Sequence, residues 1–187
     1  MNRADLATAI ADAALLRGQF TLRSGRTSNY YLDKYRLTTR PDLLTPIGKM
    51  LAERIRDIDA AEIRGTPGIR GVDRLAGAEL GGIPLVTVAG VETGKPVLFV
   101  RNAKKDYGTA RQVEGLFEPG DRVVFVEDVA TTGGQSVEAV RVLKELGMVV
   151  LGVIAVIDRQ EGARENIEKA GARFEALFTK GDLGLDE

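Results

Sequence analysis

The stretch Val123-Val-Phe-Val-Glu-Asp-Val-Ala-Thr-Thr-Gly-Gly-Gln-Ser136 decides the architecture. Its four leading apolar residues form the continuous run expected of a strand covered on both faces. Two adjacent acids follow, then two threonines, two glycines and Gln-Ser. Beyond them Val137, Val140 and Leu143 recur at helical spacing until Gly147. Strand, loop and helix in that order is how α/β proteins place ligands at the carboxyl ends of strands. Gly133 and Gly134 permit positive φ and close approach to an anion. The free amides and the dipole at the helix N-terminus favour negative charge there. Carboxylates suit sugar hydroxyls, and the amides with Thr131, Thr132 and Ser136 suit a phosphate, so the segment reads as a cradle for a sugar phosphate. Adjacent strand residues point to opposite faces, so Glu127 and Asp128 are expected at the rim of the strand. The bland alternative is a polar strand terminus followed by a helix cap. No lysine follows the glycines, which excludes a Walker A loop, and the G-x-G-x-x-G spacing of dinucleotide folds is absent.

On either side of this segment the chain alternates strand and helix patterns. Residues 4–16 carry Leu6, Ile10, Ala13 and Leu16 on one helical face, with Gly18 as the expected C-cap. Residues 20–23 and 29–33 read as short strands around the turn Ser24-Gly25-Arg26. Pro41 opens a second helix with Leu43, Leu44, Ile47, Leu51 and Ile55 inward, and Pro46 lies in its first turns, where a missing donor costs little. Residues 64–82 read as loop, and 83–91 fit helix or strand. Residues 96–100, 149–157 and 174–178 read as strands and 161–170 as a helix. The recurrence predicts one α/β domain over 1–187, a mostly parallel central sheet flanked by helices.

Composition excludes several chemistries. The 187 residues are 44% hydrophobic and 28% charged, with a formal net charge of -1. That is globular, and no basic field exists to bind nucleic acid. There is no cysteine and no histidine. Disulfides, thiolate catalysis, histidine general bases and His-ligated metals are therefore impossible, and a bound metal must be an oxygen-seeking cation such as Mg²⁺. The longest apolar run, residues 148–157, is about half a membrane span, so a cytoplasmic protein with no membrane partner is expected. Arg101-Asn-Ala-Lys-Lys-Asp-Tyr-Gly108 sets three cations within five positions. It reads as an exposed loop: a solvated surface by itself, but an anion contact beside a phosphate cradle.

The apolar-acid-acid-loop-helix segment resembles the 5-phosphoribosyl-1-pyrophosphate (PRPP) motif of the type I phosphoribosyltransferases. Gly18-Gln-Phe-Thr-Leu-Arg-Ser-Gly-Arg-Thr-Ser-Asn-Tyr-Tyr31 and Val156-Ile-Asp-Arg159 resemble signatures of the orotate phosphoribosyltransferases, and the likeness covers nearly the whole chain. The resemblance implies the type I fold with a small hood built from about residues 1–40 and 158–187. It implies transfer of ribose 5-phosphate from PRPP to orotate with Mg²⁺, in pyrimidine synthesis. Glu127 and Asp128 would hold the ribose hydroxyls, Ala130, Thr131, Thr132, Gly133, Gly134 and Gln135 would cradle the 5′-phosphate, and Val129 would also contact PRPP. Arg23, Tyr30, Tyr31, Thr131 and Arg159 would contact orotate, with Ser24 and Gly25 walling the pocket.

The segment 101–108 resembles the family's mobile catalytic loop. Arg101, Lys105 and Tyr107 would face PRPP, with Lys105, Arg101 and Asp128 catalytic. Asn102 and Tyr107 stand where lysine and histidine are common. Ala76-Gly-Ala-Glu-Leu-Gly-Gly82 resembles the pyrophosphate loop, with Gly81 where some members carry lysine. Mg²⁺ would be held mainly through PRPP and water, with no direct protein ligand. The loop would reach across a homodimer interface into the partner's site. Two other readings stay open: a phosphoribosyltransferase for another base, and a PRPP-sensing regulator without turnover.

Overall fold

The computed structural model describes residues 1–21, 25, 27–65, 68, 70–102 and 112–185. Its elements run α1 (Arg3–Ala14), β1 (Leu15–Thr21), β2 (Thr27–Leu32), α2 (Tyr35–Thr38), α3 (Pro41–Gly65), β3 (Arg74–Ala78), α4 (Gly82–Thr93), β4 (Val97–Val100), β5 (Val113–Glu114), β6 (Arg122–Ala130), α5 (Gly134–Glu145), β7 (Val149–Asp158), α6 (Ala163–Lys169) and β8 (Arg173–Thr179). A 3-10 turn, Gly181–Leu183, closes the chain.

The central sheet has the order β5-β4-β3-β6-β7-β8. Every pairing is parallel except the short β5 on β4. This is the expected mostly parallel sheet flanked by helices. Side chains alternate along β6. Val124 and Val126 pack with Leu43, Leu51 and Leu85 of α3 and α4, whereas Val123 and Phe125 pack with Val140, Leu143 and Ile167 of α5 and α6. From β3 the chain winds outward through α4 to β4, and from β6 it winds the other way through α5 and β7 to β8. The sheet therefore has its topological switch between β3 and β6, where loops leaving adjacent strand ends part to opposite faces and open a crevice.

The terminal segments meet outside this sheet. β1 and β2 form an antiparallel pair of their own. Arg3 on α1 donates to the Leu177 carbonyl at 2.9 Å and to Asp182 in the 3-10 turn at 2.8 Å. Of residues 158–187, β8 joins the central sheet and α6 covers it, while α1 meets the end of β8 at Leu177 and the closing turn at Asp182. Among the described residues no helix is long and apolar enough to cross a membrane.

Four local expectations are corrected. The first helix stops at Ala14, two residues short, because Leu15, Leu16 and Arg17 pair with Leu32, Tyr31 and Tyr30. Gly18 is consequently not a cap: it lies at φ 149°, in the bulge between Arg17 and Phe20. The stretch read as loop holds β3, which is central to the sheet. Its small residues hid it. A Cβ on Gly77 would come within 2.8 Å of the Gly82 carbonyl oxygen and 2.9 Å of Val86, so close packing of α4 selects against the bulky β-formers that advertise a strand. The acid pair does not lie at a strand rim. β6 continues through Ala130, and Glu127 and Asp128 are only 4% and 2% exposed.

Candidate active site

The strand alternation that sorts the core also separates the two acids. Glu127 falls on the α5 face and Asp128 on the α4 face. On its side Glu127 Oε2 accepts from Ser136 Oγ at 2.8 Å, and Oε1 accepts from the Asp128 amide at 3.2 Å. On the other side Asp128 Oδ1 accepts from the Val129 amide at 2.6 Å, and Oδ2 lies 2.9 Å from Lys34 Nζ. Burial first, and then the neighbouring Asp128 charge, push the Glu127 carboxyl up to about 8. Glu127 is thus mostly protonated at neutral pH, while the Asp128 side chain faces the Lys34 cation. Burial lowers Lys34, but the Asp128 charge and its hydrogen bond outweigh burial and raise it.

The loop after β6 is shaped by its glycines. Gly133 caps α5 in the left-handed region, at φ 75°. A Cβ there would also stand 3.2 Å from Ala163 Cα and 3.1 Å from Ile167. Gly134 is open by contrast, its nearest neighbour being Thr132 Oγ1 at 3.8 Å. The backbone at the start of α5 is therefore accessible, as an anion seat requires. Asn166 Nδ2 donates to the Thr132 carbonyl at 2.8 Å and holds the loop against α6.

The loop after β3 borders the same crevice. Gly81 faces Asp128 so closely that a Cβ would fall 1.7 Å from Oδ2. Glu79 joins three elements: its amide donates to the Val100 carbonyl at 2.9 Å, its carboxylate accepts from the Asn102 amide at 2.7 Å, and its carbonyl accepts from Gln135 Nε2 at 3.0 Å. Arg101 Nη1 lies 3.8 Å from Glu114, and Arg101 lines a second cavity of about 340 Å³ with Asn102, Gln112 and Gln135.

Arg159 follows β7. Its amide donates to the Ala130 carbonyl at 2.9 Å, which fixes it beside the β6 loop. Its guanidinium donates from Nη2 to the Tyr30 hydroxyl at 3.0 Å, lies 5.0 Å from the Tyr30 ring centroid, and pairs with Glu161 at 3.0 Å. Among the described residues its buried Nε has no hydrogen-bond partner. One cavity of about 490 Å³ is lined by Lys34, residues 127–136, Arg159 and Glu161.

The structure thus brings together Glu127 to Gln135, Arg159 and Tyr30. Tyr31 alternates to the opposite face of β2, where its ring lies 5.6 Å from that of Phe20. Gly25 takes φ 80° in its turn. Arg23, Ser24, Lys104, Lys105 and Tyr107 lie outside the described residues. Three contributors escaped sequence reasoning: Lys34, Ser136 as the partner of Glu127, and Glu161. Lys34 and Glu161 carry no local signal, because only the fold-back of the β1–β2 layer and the turn after β7 bring them to the crevice.

No family model matches the chain. It is 44% identical to the orotate phosphoribosyltransferase of Pyrococcus abyssi, over 96% of this chain and 93% of that protein. To the orotate phosphoribosyltransferase of Natronomonas pharaonis it is 42% identical, over 100% of this chain and 99% of that protein. Among solved structures, the orotate phosphoribosyltransferase of Mycobacterium tuberculosis H37Rv in complex with PRPP superposes with a TM-score of 0.78 at 32% identity, covering 98% of this chain and 99% of that one.

Proposed function

The chain belongs to the orotate phosphoribosyltransferase family and has its type I phosphoribosyltransferase fold, and from that premise we propose how its site transfers ribose 5-phosphate from PRPP to orotate, giving orotidine 5′-monophosphate and pyrophosphate in pyrimidine synthesis. The observation that carries the reading is convergence. The acid pair, the open N-terminus of α5 and Arg159 line a single cavity at the switch of the sheet.

Each group has a task that its chemistry suits. Glu127 and Asp128 take the ribose 2′ and 3′ hydroxyls. The backbone of residues 130–135, with the hydroxyls of Thr131 and Thr132, seats the 5′-phosphate. Arg159, oriented by Tyr30 and with Nε unpartnered, takes the acidic base, and Thr131 lies beside it. The C1–O bond to pyrophosphate breaks with positive charge gathering on the ribose, and Arg101 and Lys105 offset the negative charge on the departing oxygens. As C1 loses pyrophosphate, N1 of orotate bonds to it and the N1 proton passes to water or to the departing pyrophosphate, a transfer that suits a chain without histidine.

Mg²⁺, a homodimer completed by the partner's loop around Lys105, and a cytoplasmic location belong to the same proposal. Among the described residues no three acids cluster to cage a metal, and Asp128 Oδ2 already faces Lys34. Oxygen groups that are protonated or already paired fit a Mg²⁺ carried in by PRPP and water rather than one held directly by the protein. When bound, the ion supplies further charge neutralisation at the leaving group.

The test is pyrophosphate release from PRPP and Mg²⁺ with orotate, uracil, adenine or hypoxanthine in turn. Release with orotate alone is expected. Release only with another base overturns the acceptor, and PRPP binding without release under any base would make the protein a sensor.

A further inference from the structure

Lys34 enters the cavity from outside the central sheet. It stands at the head of α2, on a corner held by Asp33: the Asp33 amide donates to the Ala14 carbonyl at 2.8 Å, and its carboxylate accepts from the Tyr35 amide at 3.2 Å. From this anchored corner the side chain reaches 2.9 Å from Asp128 Oδ2. The Asp128 side chain is 3% exposed and that of Lys34 is 29% exposed, so the carboxylate is sealed while the cation still faces open space.

An ammonium group has three donors, on a stem that swings freely, and the described contacts give it this one carboxylate. Neutralising a buried acid explains the contact. It does not explain why the neutralising group also lines the cavity, beside Thr131 and the N-terminus of α5. Ribose hydroxyls reaching Asp128 would compete for the oxygen that Lys34 holds, and a ligand bearing several phosphate charges would offer the released cation new partners within its reach. We propose that Lys34 is a further PRPP-binding residue, paired with Asp128 until the ribose takes that carboxylate and then turned onto the ligand's phosphate oxygens. This rests on the phosphoribosyltransferase reading of the site.

A double-mutant cycle on PRPP affinity separates direct contact from simple neutralisation. PRPP dissociation constants are measured by calorimetry, with Mg²⁺, for the full chain and for Lys34→Met, Asp128→Asn and the double variant. A direct contact predicts at least about tenfold weaker binding in Lys34→Met, the loss of one charge-assisted hydrogen bond, persisting in the Asp128→Asn background. In Lys34→Met the PRPP KM should rise while kcat with orotate changes little, and Lys34→Arg should recover most of the affinity. A loss under about threefold, or one that vanishes in the Asp128→Asn background, overturns the proposal. If Lys34→Met does not fold, Lys34→Gln carries the same comparison. Pyrophosphate release by the unmodified chain with orotate, run in parallel, reports the activity itself. Its failure would sink the acceptor assignment while the binding cycle still decides Lys34.

Discussion

Glu127→Gln tests the electrostatics of the acid pair through stability rather than activity. The Glu127 carboxyl is buried and pushed up to about 8 from an ordinary 4.5, chiefly by burial and then by Asp128. Between those two values the folded chain holds a proton that the unfolded chain has released. More protons are bound in the folded state, so stability falls as pH rises from about 4.5 to about 8 and levels off above. From pH 6 to pH 9 the unfolded carboxyl gains about 3 log units of ionisation and the folded one about 1. The difference of about 2 corresponds to a loss on the order of 2–3 kcal/mol. Little solvent screening applies, because the group is buried. Glutamine keeps an acceptor for Ser136 and cannot titrate, so the variant lacks this slope. The acceptor it gives up adds a pH-independent offset of about 1 kcal/mol, which cancels when slopes are compared. Urea unfolding of both proteins at pH 6 and pH 9 measures the effect. The parent should lose roughly 2–3 kcal/mol more than the variant, on the order of 5–10 °C in Tm for a chain of this size. Parallel pH dependences would refute the reasoning, because they would mean that Glu127 titrates alike in both states.

Three further perturbations follow from the geometry. Gly81→Ala places a Cβ 1.7 Å from Asp128 Oδ2 on a backbone already helical, at φ -74°. The carboxylate must leave Lys34, and PRPP should bind about tenfold more weakly with an unchanged circular dichroism spectrum; an unaltered PRPP KM would show that this oxygen is not used. Arg159→Lys keeps charge but loses the planar fork beside Tyr30, so the orotate KM should rise at least about tenfold while the PRPP KM moves little. The opposite split in the two KM values would remove Arg159 from the acceptor pocket. Arg3 leads the groups that hold Asp182 down to about 2. A depressed carboxylate stabilises the fold above its ordinary value and loses that contribution as pH falls toward 2. Asp182→Asn should therefore cost about 1 kcal/mol at pH 7, by denaturant titration, and the gap should close near pH 2. A gap that persists in acid would place the effect outside this ion pair.

Legibility in the sequence followed from how local each signal was. β6, its loop and α5 were readable because one continuous segment supplies a buried strand, two glycines and an amphipathic helix. β3 was not, because Gly77 and its small neighbours are selected by the approach of α4 rather than by strand propensity. The end of α1 was misplaced because pairing of Leu15 to Arg17 with β2 overrides helical periodicity, and that pairing is invisible without its partner strand.

The same division applies to the site. Sequence alone specified the sugar-phosphate cradle, the exclusion of histidine and thiol chemistry, and an arginine at the end of β7, because each depends on residue identity or on neighbours a few positions apart. Tertiary structure decided the rest. It put Glu127 and Asp128 in the interior, where burial raises one acid and a cation faces the other. It chose Tyr30 over Tyr31 for Arg159, because side chains alternate across a strand and only the fold decides which face looks inward. It carried Lys34 to Asp128 across 94 positions, a distance over which charge and reach mean nothing until the chain has folded back on itself.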